Sequence, residues 1–192
     1  SSQCGGRLME LRAPKKIALP AVRANLGVAA DYTRRLDKMI DTMDKSITYW
    51  VTATWRANTP HAALAADASP AMEARKMMTK LASRWTRAFN KGAKELADHF
   101  ATKAAGSADA SLKGILDRAG FTVPFKQTPA MNDAFQAVVS ENVSLIKSIA
   151  SEHLTDVEGL VARSVATGRD LASLTEELKE RYALTKKRAA FI

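Results

Sequence analysis

The chain has a single cysteine, Cys4, among 192 residues, and its three histidines, His61, His99 and His153, each stand alone. No intrachain disulfide is possible, and no Cys/His group has the spacing of a zinc site. Glycine and proline are sparse, at 9 and 6, so few positions punctuate the chain. No apolar run approaches the ~18 residues that a membrane span needs, and the first residues lack the apolar core of a secretory signal. The glycines are isolated, so there is neither a phosphate-cradling loop nor a dinucleotide turn, and no nucleophile elbow occurs. From these absences no metal, cofactor, catalytic residue or membrane partner is expected.

Ala, Leu, Lys, Arg, Met and Glu are abundant, and the apolar residues recur at spacings of three and four. An all-α, elongated fold is expected, with an extended N-terminal arm, two long N-terminal helices and a cluster of shorter C-terminal helices. No repeat of fixed period is present, which argues against a solenoid.

Charge divides the chain unevenly. Residues 1–105 carry 18 Lys or Arg against 9 Asp or Glu, whereas 106–192 carry 11 against 11, so the whole net charge of +9 lies in the first part. A field of one sign gathered on one part of a protein selects polyanionic partners. The expected organisation is an arm over 1–30, a basic long-helix region over 31–105 and a neutral helical region over 106–192.

The arm contains Pro14 and Pro20, which fix the backbone and remove donors. Asp31 is a candidate N-cap for a helix to about Asn58, whose seam is Tyr32, Leu36, Met39, Ile40, Met43, Ile47, Trp50, Val51 and Thr54. Its other side, with Arg34, Arg35, Asp37, Lys38, Asp41, Asp44 and Lys45, reads as a solvated alternation of signs. An Ala-rich connection over 59–70 follows. Ser69-Pro70 then opens a second long helix, with Met78, Leu81, Trp85, Phe89, Gly92, Leu96 and Phe100 on one face. Gly106 is expected to separate it from a short helix over 111–119 that ends at Gly120.

Phe121 to Lys126 is the one strand-like stretch, confined by Pro124 to an edge. Thr128-Pro129 starts the next helix, with a seam of Met131, Phe135, Val138, Val139, Asn142, Leu145, Ile146 and Ile149. Thr155 is expected to cap another that Gly168 closes. Ser173 to Glu176 has capping-box spacing, and Thr185 is expected to start a last helix. The chain stops within that helix, as a fragment of a longer protein would.

Among groups with chemistry to offer, His99 beside Asp98 reads as a surface histidine near a helix end, and His153 as a residue of an inter-helix turn. Glu176, Glu177 and Glu180 read as complements of a helix macrodipole rather than as an acid–base pair. The strongest candidate is a stripe on the second helix: Lys76, Lys80, Arg84, Arg87, Lys91 and Lys94 fall within about 80° of one another on a helical wheel, over ~27 Å. Such a stripe suits sequence-independent contact with phosphates. Trp85 and Phe89 lie opposite it, as core residues rather than stacking platforms, so base-specific reading is not implied.

The blocks Glu141-Asn142-Val143-Ser144-Leu145-Ile146-Lys147-Ser148-Ile149, Val157-Glu158-Gly159-Leu160-Val161, Arg163-Ser164-Val165, Gly168-Arg169-Asp170-Leu171, Leu174-Thr175-Glu176-Glu177-Leu178 and Thr185-Lys186-Lys187-Arg188-Ala189-Ala190 occur in this order within Asn132 to Ile192. In these blocks the chain resembles the head-morphogenesis, or minor head protein, family of tailed phages, especially Mu-like phages. Tyr49-Trp50, Arg56-Ala57-Asn58, Asp67-Ala68-Ser69-Pro70 and Ala119-Gly120-Phe121 resemble the N-terminal part of the Mu-like members.

The resemblance implies a virion component at the portal vertex of the phage head, assembled in the bacterial cytoplasm and acting in head assembly and in DNA packaging or ejection. Its implied partners are portal or capsid proteins and packaged double-stranded DNA, with several copies per virion. It brings no catalytic residue onto this sequence. Members usually continue past the Thr185 block into a further region, so a longer parent chain is expected. The other reading left open is a capsid-targeting module of a larger enzyme or effector whose catalytic domain follows Ile192. A free DNA-binding regulator is disfavoured, because no short recognition helix joins base-reading residues to flanking cations.

Overall fold

The computed structural model describes residues 18–58, 69–122, 126, 128–168 and 170–190. Among these, 88% are helical and none is in a strand. The arm before residue 18, the connection over 59–68, the centre of the strand-like stretch at 123–125 and the last two residues lie outside the described residues, as do Cys4 and His61. Phe121 and Thr122 are irregular, and residues 18–25 form no regular element and are exposed.

Four helices follow: α1 (Leu26–Ala57), α2 (Pro70–Arg118), α3 (Pro129–Thr167) and α4 (Leu171–Ala189). Their ends follow local chemistry. Asn25 caps α1, accepting from the backbone N–H groups of Gly27 and Val28. Ser69 caps α2 and Thr128 caps α3, each followed by proline at the first helical position, where no donor is needed. Asp170 caps α4, accepting from Ser173 N–H at 2.7 Å. That bond, with others from the Ser173 hydroxyl and the Ala172 N–H, holds the Asp170 carboxyl below its usual range. Gly120, at φ 82°, closes α2. Gly120 N–H reaches Asp117 C=O at 3.1 Å, and the left-handed turn at Gly120 then carries Phe121 N–H back to Leu116 C=O at 2.9 Å. Gly168, at φ 64°, closes α3.

Several expected boundaries are displaced. Asp31 does not cap α1, which begins at Leu26; it lies one turn inside and pairs with Arg34, Arg35 and His99. Gly106 does not interrupt α2, nor Thr155 α3, nor Thr185 α4; the Thr155 and Thr185 hydroxyls donate back to the carbonyls of Ser151 and Arg181. The C-terminal part is therefore one helix of 39 residues and one of 19, not a cluster of short ones. A mid-helix glycine costs only about 1 kcal/mol relative to alanine, which tertiary packing readily overrides. Ser173 does not form the capping box, because Asp170 caps three residues earlier and leaves Glu176 beyond the first turn, paired with Lys179 at 2.7 Å.

The helices alternate in direction around one core, with α1 and α3 each flanked by α2 and α4. The start of α1 meets the far part of α2, where Asn25 Nδ2 donates to Ser107 Oγ at 3.0 Å, and its middle meets Trp85, whose indole N–H donates to Ser46 Oγ at 3.3 Å. Near the end of α4, Arg188 pairs with Glu152 of α3 at 2.6 Å, while Lys186 reaches Asp37 of α1 at 2.7 Å. The core joins Leu36, Ile40, Met43, Ile47 and Val51 of α1 to Met78, Leu81, Trp85 and Phe89 of α2, Ile146 to Val161 of α3, and Leu174 and Leu178 of α4.

At 1.5 Å per residue α2 is ~74 Å long and α3 ~58 Å, against ~48 Å for α1 and ~28 Å for α4. With α1 starting level with Ser107, the last turns of α2 extend beyond it with Ile115 buried, while Val139 of α3 packs nearer the bundle against Ala97 and Ala101 of α2. Along the first half of α3, Met131, Val138 and Leu145, expected in its seam, are exposed instead. Their side of α3 has no fourth helix to cover it.

Continuity of α2 at Gly106 has a direct check. A Cβ added there meets nothing within 4 Å. Gly106→Ala is expected to raise stability by about 0.5–1 kcal/mol in urea unfolding, with unchanged far-UV circular dichroism; a loss of stability would mean that the helix breaks at this residue.

Candidate nucleic-acid interface

Helix α2 places its cations by the same rotation that buries its seam. With Met78, Leu81, Trp85 and Phe89 in the core, Lys76, Lys80, Arg84, Arg87, Lys91 and Lys94 are all exposed on the opposite side. The stripe read from the sequence thus exists as one outer face. Lys76 pairs with Glu73 at 3.0 Å. None of the other five makes an ion pair among the described residues, although Glu95 and Asp98 stand four residues after Lys91 and Lys94. Arg87 Nε donates to Ser83 C=O at 3.2 Å, and the Arg84 guanidinium carbon lies 5.7 Å from the Trp85 ring centroid. Trp85 and Phe89 are buried, as expected for core residues.

A second aromatic element was not expected. Tyr49, which the helical period places on no particular face, and Trp50, which it places in the apolar seam, are 66% and 45% exposed. Their rings meet edge to face, 5.3 Å apart at 86°. Because α1 and α2 run in opposite directions, Trp50, Ala53 and Ala57 line one side of a groove whose other side carries Lys76, Lys80 and Arg84. The groove has a volume of about 580 Å³. The helical period alone does not decide this, since adjacent residues are buried together elsewhere, as Ile149 with Ala150 and Leu160 with Val161 are, and only the packing of the partner helix shows that Trp50 faces outward.

The other face of α1 is not the solvated alternation of charges that its sequence suggested. Tyr182 donates to Asp41 at 2.6 Å, and Lys186 joins Asp41 at 3.1 Å to Asp37. The Tyr182 hydroxyl holds the Asp41 carboxyl below its usual range. Burial, with Asp41 nearby, raises Asp44 to about 6. Asp31 is drawn down to about 2, chiefly by Arg34 and Arg35.

Neither histidine sits where its neighbours implied. His99 lies within α2 with Nε2 3.2 Å from Asp31, tying α2 to α1. His153 is 1% exposed in the middle of α3, its Nδ1 2.7 Å from Thr185 Oγ1. The Thr185 hydroxyl spends its own proton on Arg181 C=O, so His153 Nδ1–H is the donor and Nε2 is bare, with no hydrogen-bond partner among the described residues. Burial pushes its pKa down to about 4, against an opposing pull from Asp156. This is a neutral core histidine joining α3 to α4 rather than a base poised for catalysis. Among the described residues no three His, Cys, Asp or Glu side chains group as a metal site, and no helix is long and apolar enough to cross a membrane.

What the fold and the site define is an antiparallel four-helix bundle with a cationic outer face bordered by an aromatic groove. Comparison with protein-family models, curated proteins and solved structures finds no match to this chain.

His153 gives a signed pH dependence. Its folded pKa lies below the ordinary value of 6.5. Between about 4 and 6.5 the unfolded chain therefore binds the proton more readily, and the contribution present above that window is lost on acidification. Wild type should lose up to about 3 kcal/mol relative to His153→Gln between pH 6.5 and pH 4, measured by urea unfolding of both chains at each pH. Parallel profiles would show that His153 binds its proton alike in the folded and unfolded chains. The comparison with the variant cancels Asp44, whose raised pKa acts in the opposite direction.

Proposed function

We propose that the chain is a structural, non-enzymatic minor head protein of a tailed phage, placed at the portal vertex and acting in head assembly and in DNA packaging or ejection. The observation that carries the DNA-contacting part is the outer face of α2: six exposed cations over ~27 Å, with one paired acid. A rigid helix holding cations at 4.5–6 Å intervals follows a phosphate backbone without reading its sequence. The resemblance of 132–192 to head-morphogenesis proteins supplies the setting, in which the polyanion is packaged double-stranded DNA.

Contact with portal or capsid proteins, or with further copies of the chain, falls to surfaces elsewhere. The exposed residues just before α1 include Leu19 and Val22, and the first half of α3 presents Met131, Val138 and Leu145. Apolar side chains left uncovered in this way favour burial against another protein. Both surfaces leave the cationic face of α2 free.

The test is duplex DNA binding across a salt series. Replacing Lys80, Arg84, Arg87 and Lys91 by alanine should weaken binding and make the slope of log K against log salt shallower by up to about 3–4, at roughly 0.9 for each phosphate that the variant no longer neutralises. An unchanged slope would remove the DNA role from this face.

A further inference from the structure

We propose that the groove between the end of α1 and the start of α2 binds an unpaired nucleotide of a DNA strand, its base against Trp50 and its phosphates among Lys76, Lys80 and Arg84. This rests on the DNA-contact reading of α2 and adds to it a place where the end of a duplex is held.

Trp50 is the first argument. Its neighbours in the helical period, Ile47 and Val51, are buried at 0% and 1%, while Trp50 remains 45% exposed. The core therefore does not need this ring, and a large aromatic surface is left toward the groove it lines. Tyr49 braces it edge-on, limiting the freedom that stacking would otherwise have to remove.

The second argument is the composition of the groove. Ala53 and Ala57 keep one wall low, Met77 and Leu81 provide an apolar floor, and cations stand along the opposite edge. The one carboxylate lining it, Glu73, is already engaged by Lys76. A volume of about 580 Å³ admits one base with its sugar.

The third argument is chemical. An intact duplex offers the groove only phosphates, because its base faces are stacked; an unpaired nucleotide offers a π-face and phosphates together. Aromatic stacking beside a cationic track is how proteins hold single strands without regard to sequence. Three of the six stripe cations line the groove, so a duplex lying along α2 would deliver a frayed or overhanging end directly to Trp50.

The experiment compares a blunt 30-base-pair duplex with the same duplex bearing a four-nucleotide single-stranded tail, by fluorescence anisotropy with the full chain. The tailed duplex should bind about 5- to 30-fold more tightly, the effect expected of one stacked base. Trp50→Ala should bring the ratio of the two affinities to about one, and Trp50→Phe should restore most of it. Lys91→Ala, outside the groove, should weaken both duplexes and leave the ratio unchanged. A wild-type ratio of one overturns the groove assignment while leaving duplex binding by the stripe intact, and absence of binding to either duplex overturns both readings. A ratio that survives Trp50→Ala moves the stacking site elsewhere and overturns the proposal.

Discussion

Burial of one face of α2 is the constraint on which the rest of the molecule depends. Met78, Leu81, Trp85, Phe89, Ala93 and Leu96 pack against α1 and α3 at spacings of three and four, and each fully buried large side chain is worth about 1.5–3 kcal/mol. Exposed charges contribute a few tenths each. The apolar face therefore sets the rotation of α2, and the cations stand wherever that rotation leaves them. The DNA-facing surface proposed for this helix follows from its core.

Polar contacts then set register where apolar packing alone is permissive. His99 and Asp31 join α2 to α1; Lys186 and Tyr182 join α4 to Asp37 and Asp41; His153 and Thr185 join α3 to α4. Leucines and isoleucines slide past one another at modest cost, whereas a buried donor shifted from its acceptor loses the compensation for its desolvation. The α3–α4 tie is the most buried of the three and the most sensitive to acid, since protonating His153 would leave a charge among apolar side chains.

Two parts of the bundle remain uncovered, and they differ in chemistry. The first half of α3 and the residues just before α1 carry isolated apolar side chains suited to protein partners. The opposite end of α1, where it passes the start of α2, joins an exposed tryptophan to cations. Under the proposed function this separation lets each surface be engaged without competing for the other.

Much of this was legible in the sequence. The Ser69-Pro70 and Thr128-Pro129 starts, the Gly120 and Gly168 stops, the seam of α2, that of α1 apart from Trp50, and the cationic stripe were all determined by the residues themselves, because capping, left-handed glycine and helical period act within a few positions of the chain. The tertiary structure decided the rest. Continuity through Gly106, Thr155 and Thr185, the burial of His153, the partner of Asp31 and the exposure of Trp50 all depend on which helix lies alongside. Local preferences there amount to about 1 kcal/mol, and the packing of a neighbouring helix outweighs them.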